Sequence, residues 1–202
     1  PSMCRYEKLS TFDRLARFKL PNTEHWRREL AAKVGPGWFS VVHYREPNYP
    51  TRPAEPNRDF RAADALPVYD AILEAGGQVV RIGHPEMNAL PERAGLIDLA
   101  ADGLMLQAAA VSHARFFLEL SPSGPAHLAL PFACPLLRCN IIDIGRTYSD
   151  QGVTMPQRLH DRDGRDVTLK ILKEGLFNRL GIASPDGHRL IRNSPSQLLE
   201  GV

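Results

Sequence analysis

The sequence predicts an α/β domain: a parallel sheet with helices on both faces. Three observations carry that prediction. Short, nearly continuous apolar runs such as WFSVVHY (38–44) and QVVRI (78–82) alternate with segments of helical period. The runs lack an in–out polar alternation, as expected of strands covered on both faces. The 15 glycines and 17 prolines sit mostly where one type of segment gives way to the other.

Residues 1–22 form a polar, basic lead-in with one short helix expected around 12–18. A helix starts after Pro21-Asn22, with Thr23 as its N-cap and Trp26, Leu30 and Val34 at helical spacing. Gly35-Pro36-Gly37 ends it, and the first strand follows at 38–44. Residues 45–61, REPNYPTRPAEPNRDFR, have four prolines and no apolar period. They read as a long loop, the kind that in compact domains tends to carry function. A helix spans 62–75, with Ala65, Val68, Tyr69, Ile72 and Leu73 on one face and Gly76-Gly77 as its stop. Strand 78–82 ends at Gly83-His84-Pro85. Residues 86–94 read as a turn or short helix, LIDL (96–99) as a strand, and 104–113 as a helix capped by Asp102. Strand 116–120 leads through Ser121-Pro122-Ser123-Gly124 into a short helix opened by Pro125. Strand 136–140 follows. Residues 143–159 read as irregular, 167–177 as a helix, and 197–202 as a last helix behind Asn193-Ser194.

Composition narrows the classes. A formal net charge of +2 on 202 residues gives no electrostatic case for nucleic acid. Three cysteines, Cys4, Cys134 and Cys139, form no CxxC pair and point to a reducing compartment without zinc. No run of 18 apolar residues and no signal peptide appear. The first residue is Pro rather than Met, which suggests a piece of a longer protein.

In a parallel sheet every strand's carboxyl end lies on one edge, and ligands bind there. The residues delivered to that edge are His43, Tyr44, Arg45 and Glu46; Arg81, Gly83 and His84; Asp98; Glu119, Ser121, Ser123, Gly124 and His127; and Asn140. The SPSG turn ahead of a helix N-terminus suits an anion. Arginines and an anion-shaped turn on one edge suggest a phosphorylated or diphosphate-bearing small molecule. Bland readings stand beside these. Arg45 and Arg81 form structural ion pairs with Glu46 or Asp98, His84 is a turn residue, His127 a core histidine, and Arg52, Arg58 and Arg61 a solvated face. No HExxH, GxGxxG, P-loop or GxSxG pattern is present.

In their order, VVHYREPNY, RDFR, GGQVVRIGHP, IDLA, LELSPSGPAHLALPFACPLLRCN, MPQRLHDRDGRDVTLKILKEG and RNSPSQLLEGV resemble bacterial GT-B glycosyltransferases of surface-polysaccharide gene clusters. The resemblance covers roughly residues 18–202. The SGPAH element is similar to the heptosyltransferase turn that faces the donor. The resemblance implies a Rossmann-like domain, one half of a GT-B fold, binding a nucleotide diphosphate sugar. The chain is expected to divide into a lead-in over 1–22, the Rossmann-like domain over 23–142 and an extension over 143–202 whose helices pack on the same domain. Arg45 and Arg81 would contact the donor phosphates, Ser121–Gly124 would hold the diphosphate, and His43, Tyr44, Arg45, Glu46 and His127 would lie near the sugar. Arg58, Gly83 and Asn140 complete the expected substrate contacts. Glu46, Glu119 and Asp98 are the candidate bases, with His127 beside them as a catalytic candidate. No cofactor or metal is implied. The acceptor would be a glycan or lipid-linked, met in the cytoplasm at the inner face of the membrane. The family's N-terminal domain, which usually supplies acceptor contacts, is not among these residues and would come from a longer chain or a partner; a partner domain or a homo-oligomer is the expected assembly. The other function classes are a phosphosugar transferase or hydrolase, and a non-catalytic nucleotide-sugar-binding or interaction module.

Overall fold

The computed structural model describes residues 19–47, 56–141, 152–168, 170 and 187–200. Helix α1 (Thr23–Lys33) leads to strand β1 (Phe39–His43), α2 (Ala62–Glu74), β2 (Gln78–Arg81), β3 (Leu96–Asp98), α3 (Leu104–His113) and β4 (Phe116–Glu119). A 3-10 helix (Pro125–Ala129), β5 (Leu136–Ile141), β6 (Gly152–Pro156), β7 (Arg158–His160), β8 (Arg189–Ile191) and α4 (Pro195–Glu200) follow.

Strands β1 to β6 form one parallel sheet in the order β3-β2-β1-β4-β5-β6. The α/β class and its Rossmann-like character are therefore as predicted. Successive strand residues point to opposite faces, and the core divides accordingly. Phe39, Val41, Val80, Ile82, Phe117 and Leu136 pack beneath α1 and α3 with Leu30, Leu106 and Val111. Val42, Val79, Leu118, Leu137 and Cys139 pack on the other face against Val68, Tyr69 and Ile72 of α2 and Leu198 of α4. The period of α2 buries Ala65, Val68, Tyr69 and Ile72, and Gly76 at φ 78 provides its left-handed stop.

Several local expectations differ. The N-cap of α1 is Asn22 at φ 53, and the Thr23 hydroxyl instead donates to the Leu20 carbonyl at 2.6 Å. Gly103, not Asp102, precedes α3, and Asp102 pairs with Lys33 at 2.9 Å. The span 143–159, expected to be irregular, contains β6 and most of β7; β7 pairs antiparallel with β8. The helix opened by Pro125 is a five-residue 3-10 turn. The expected helix at 12–18, Arg52 and most of the expected helix at 167–177 lie outside the described residues.

Candidate functional site

The strand order reverses between β1 and β4, whose carboxyl ends flank the crevice where open α/β sheets bind ligands. Two loops meet there. The backbone N–H of Arg45 donates to Ser121 Oγ at 2.9 Å, and Leu120 N–H donates to the His43 carbonyl at 3.0 Å. Ser121 thus staples one exit to the other and is itself 2 % exposed.

On the α1/α3 face, His43, Glu119 and Arg138 stand in register on three adjacent strands. Arg138 Nε donates to Glu119 Oε2 at 2.6 Å, and the Ser123 N–H donates to Glu119 Oε1 at 2.7 Å. Ser123 Oγ lies 2.7 Å from His43 Nδ1. The anion-shaped turn therefore already holds an anion, the carboxylate of Glu119. Burial pushes that carboxyl above the usual carboxylate range, against the pull of Arg138 and Ser123. Burial, with Arg81 adding to it, lowers His43 to about 3. The helix-dipole argument for this turn weakens, because a single 3-10 turn has little dipole to offer. Gly124 has an ordinary right-handed backbone, and a Cβ there would meet nothing within 4 Å. The lip of the crevice is open at that point. His127 is exposed beside it.

On the α2 face, Arg81 is 1 % exposed. Its guanidinium is ion-paired with Asp98 and donates to the Tyr44 hydroxyl at 3.1 Å and the Asn88 carbonyl at 2.6 Å. Asp98 also accepts from the Ala100 N–H at 3.0 Å. Tyr44 is fully buried, and burial raises its phenol pKa despite Arg81. In this arrangement Arg81 links the ends of β2 and β3 through its ion pair with Asp98. Arg45 is likewise buried in an ion pair, but with Asp59 at 3.0 Å rather than Glu46. Both guanidiniums are thus engaged within the protein in this structure.

Glu46 is 3 % exposed; its Oε2 accepts from the Asn88 N–H at 2.8 Å, while its Oε1 is buried without a hydrogen-bond partner among the described residues. Gly83, at φ 155, is clipped by Gln107. Its N–H donates to Gln107 Oε1 at 3.0 Å and its carbonyl accepts from Nε2 at 3.2 Å. Arg58 is half-buried and donates to the Pro122 carbonyl at 3.1 Å, which ties the long loop to the turn. Asn140, expected at the ligand, is 1 % exposed at φ 57. It exchanges paired bonds of 2.7 Å with Asn193 and donates to the Leu120 carbonyl at 2.8 Å. Its side chain clasps Asn193 to the end of β4.

Sequence reasoning missed Asp59, Asn88, Gln107, Arg138, Gln157 and Asn193. Two of these carry a signal. Gln107 is the lone polar residue in LMLQAAAV, and Arg138 is a charge inside the apolar run LLRCN. Buried polar groups of that kind need partners. Among the described residues no cluster of His, Cys, Asp and Glu is arranged to hold a metal, and no helix is long and apolar enough to cross a membrane.

No protein-family model and no curated protein sequence matches the chain. Solved structures do match. The glycosyl transferase family 9 structure from Veillonella parvula DSM 2008 aligns with TM-score 0.55 and 16% identity, over 92% of this chain and 52% of that one. E. coli heptosyltransferase WaaC with ADP-2-deoxy-2-fluoro heptose aligns with TM-score 0.46 and 14% identity, over 78% and 47%. Methanocaldococcus jannaschii UDP-GlcNAc 2-epimerase in complex with UDP-GlcNAc and UDP gives 0.46 and 11%, over 88% and 47%. This chain spans about half the length of the structures it matches, and it shares a fold with that half of the glycosyl transferase family 9 structure.

Proposed function

We propose that the chain is the donor-binding half of a GT-B glycosyltransferase. It takes a nucleotide diphosphate sugar at the β1/β4 crevice for transfer to a glycan or lipid-linked acceptor of a bacterial surface polysaccharide, in the cytoplasm. One observation carries this reading: the reversal of strand order sets the HYRE and SPSG exits side by side, stapled through Arg45 and Ser121. Arg58, His127 and the open backbone at Gly124 form the rim that receives the diphosphate. Arg45 and Arg81 act indirectly, by fixing the strand ends. Of the three candidate bases, Glu119 and Asp98 are committed to Arg138 and Arg81. Glu46 keeps one oxygen without a partner among the described residues and is assigned a donor or acceptor hydroxyl. The leaving diphosphate is stabilised by the Arg58 guanidinium and backbone N–H groups.

Calorimetric titration with nucleoside diphosphates and their sugars tests this. Binding is expected for the unmodified chain. Gly124→Leu, which fills the open lip, should abolish it while leaving the melting temperature in place. Absence of binding by any nucleoside diphosphate overturns the proposal.

A further inference from the structure

For the identity of its ligand this inference rests on the donor-site reading; for its chemistry it rests on the ring of His43. That side chain ends β1 and is 7 % exposed. Ser123 holds it on one side, and Gly83 lies near the other. Ser123 Oγ lies 2.7 Å from Nδ1, and a Cβ on Gly83 would stand 3.5 Å from Cδ2. Nε2 has no hydrogen-bond partner among the described residues. Ser123 is oriented in turn, because its N–H is bound to Glu119 Oε1, and the other oxygen of Glu119 is bound by Arg138.

The Ser123 hydroxyl hydrogen has two acceptors to choose from, Nδ1 at 2.7 Å and Glu119 Oε1 at 3.5 Å. An O–H donor bonds well only to about 3.0 Å; were Nδ1 protonated and donating to Ser123 Oγ, the hydroxyl would be left only the 3.5 Å contact to Glu119, so the arrangement favours Nδ1 as the acceptor. A neutral imidazole that accepts at Nδ1 carries its own proton on Nε2. The charged groups around the ring oppose a second proton on balance. Arg81 on β2 and Arg138 on β5 are cationic, Glu119 is already engaged by Arg138, and burial removes the solvent that would stabilise an imidazolium.

We propose that His43 is a neutral hydrogen-bond donor of the crevice. Ser123 imposes its tautomer, Glu119 and Arg138 orient Ser123, and Nε2–H is offered to a phosphate oxygen of the bound nucleoside diphosphate. A neutral donor keeps its hydrogen across the range in which an ordinary histidine titrates. Recognition through it is therefore insensitive to pH there. Ser123, Glu119 and Arg138 are positioning residues that act through the ring.

Two experiments test the two halves. Long-range proton–nitrogen correlation spectra report which ring nitrogen of His43 is protonated, with no ligand present. A single Nε2–H tautomer is expected from about pH 5 to 8. The Nδ1–H tautomer, or an imidazolium in that range, overturns the proposal. Ser123→Ala should lose the single tautomer, and Ser123→Thr should restore it. Calorimetry with ADP and UDP then reads the contact. His43→Phe should bind about tenfold more weakly, the worth of one hydrogen bond. His43→Gln, whose amide N–H takes the place of Nε2–H, should keep most of the affinity. Equal affinity in the Phe variant overturns the contact. If that variant fails to fold, Ser123→Ala carries the same expectation of weaker binding, and unchanged binding there overturns it. No binding by the unmodified chain overturns the donor-site reading and the ligand contact with it, while the spectra still judge the ring.

Discussion

Two clusters of polar side chains sit at the same edge of one sheet, on opposite faces, and they differ in what they leave open. On the α2 face, Arg81, Asp98, Tyr44 and Asn88 bind one another. On the α1/α3 face, Arg138, Glu119, Ser123 and His43 form a line that stops at a ring nitrogen without a hydrogen-bond partner among the described residues. Both clusters contain an arginine and a carboxylate. In the first, the buried guanidinium makes its bonds inside the cluster, and it works as a strut. The second is open-ended and has a group left to offer. A charged residue at a strand end therefore says little until its face of the sheet, and its neighbours there, are known.

The largest effect expected from this contrast is on Arg81. Arg81→Ala removes the buried guanidinium from Asp98, the Tyr44 hydroxyl and the Asn88 carbonyl and should destabilise the fold by about 1–3 kcal/mol in urea denaturation. A variant that kept its stability but lost nucleotide binding would break the comparison, because Arg81 would then act on the ligand directly.

The next effect concerns His43. Its folded form stays neutral down to about pH 3, whereas the unfolded chain takes a proton near 6.5. Between those values the unfolded state binds more protons. The contribution is complete above 6.5 and is lost as pH falls, at about 1.4 kcal/mol per pH unit from this group. Denaturation at pH 7, 6 and 5, compared with His43→Gln, measures it. A variant with the same slope as the unmodified chain would show that the ring is not held neutral.

The smallest effect sharpens the contrast from the open side. Gly124→Leu adds a side chain where a Cβ meets nothing and should change stability by no more than about 0.5 kcal/mol. A large loss of stability would mean that the lip is closed, and the open end of the second cluster would go with it.

The sequence carries most of the sheet, because five of its six strands are short apolar runs between turn residues. It does not carry β6. GVTMP is an edge strand bonded on one side only, largely exposed, with Val153 at 57% exposure. Without two covered faces it lacks the apolar run that marks its neighbours. The site was half legible. The convergence of strand exits follows from topology alone. The partners of the arginines do not, since Arg45 finds Asp59 through the fold of a proline-rich loop. The occupant of the SPSG turn was nearer to view. Glu119 lies four residues before Ser123 in LELSPS, close enough to fill the turn with its own carboxylate.

The clasp around Asn140 ties together segments that lie far apart in the chain. Asn193 reaches Asn140 across 53 residues of chain, Gln157 reaches Asn57 across 100, and Arg192 reaches Pro56 across 136. Closing spans of that length costs chain entropy before any contact repays it. Strands β1 to β5 can pair without the segment 187–200, but the long-loop residues that carry Arg58 to the rim are bonded to it. The scaffold of the crevice rests on contacts within 39–141, whereas the loop that carries its rim is also anchored by contacts of the longest sequence separation.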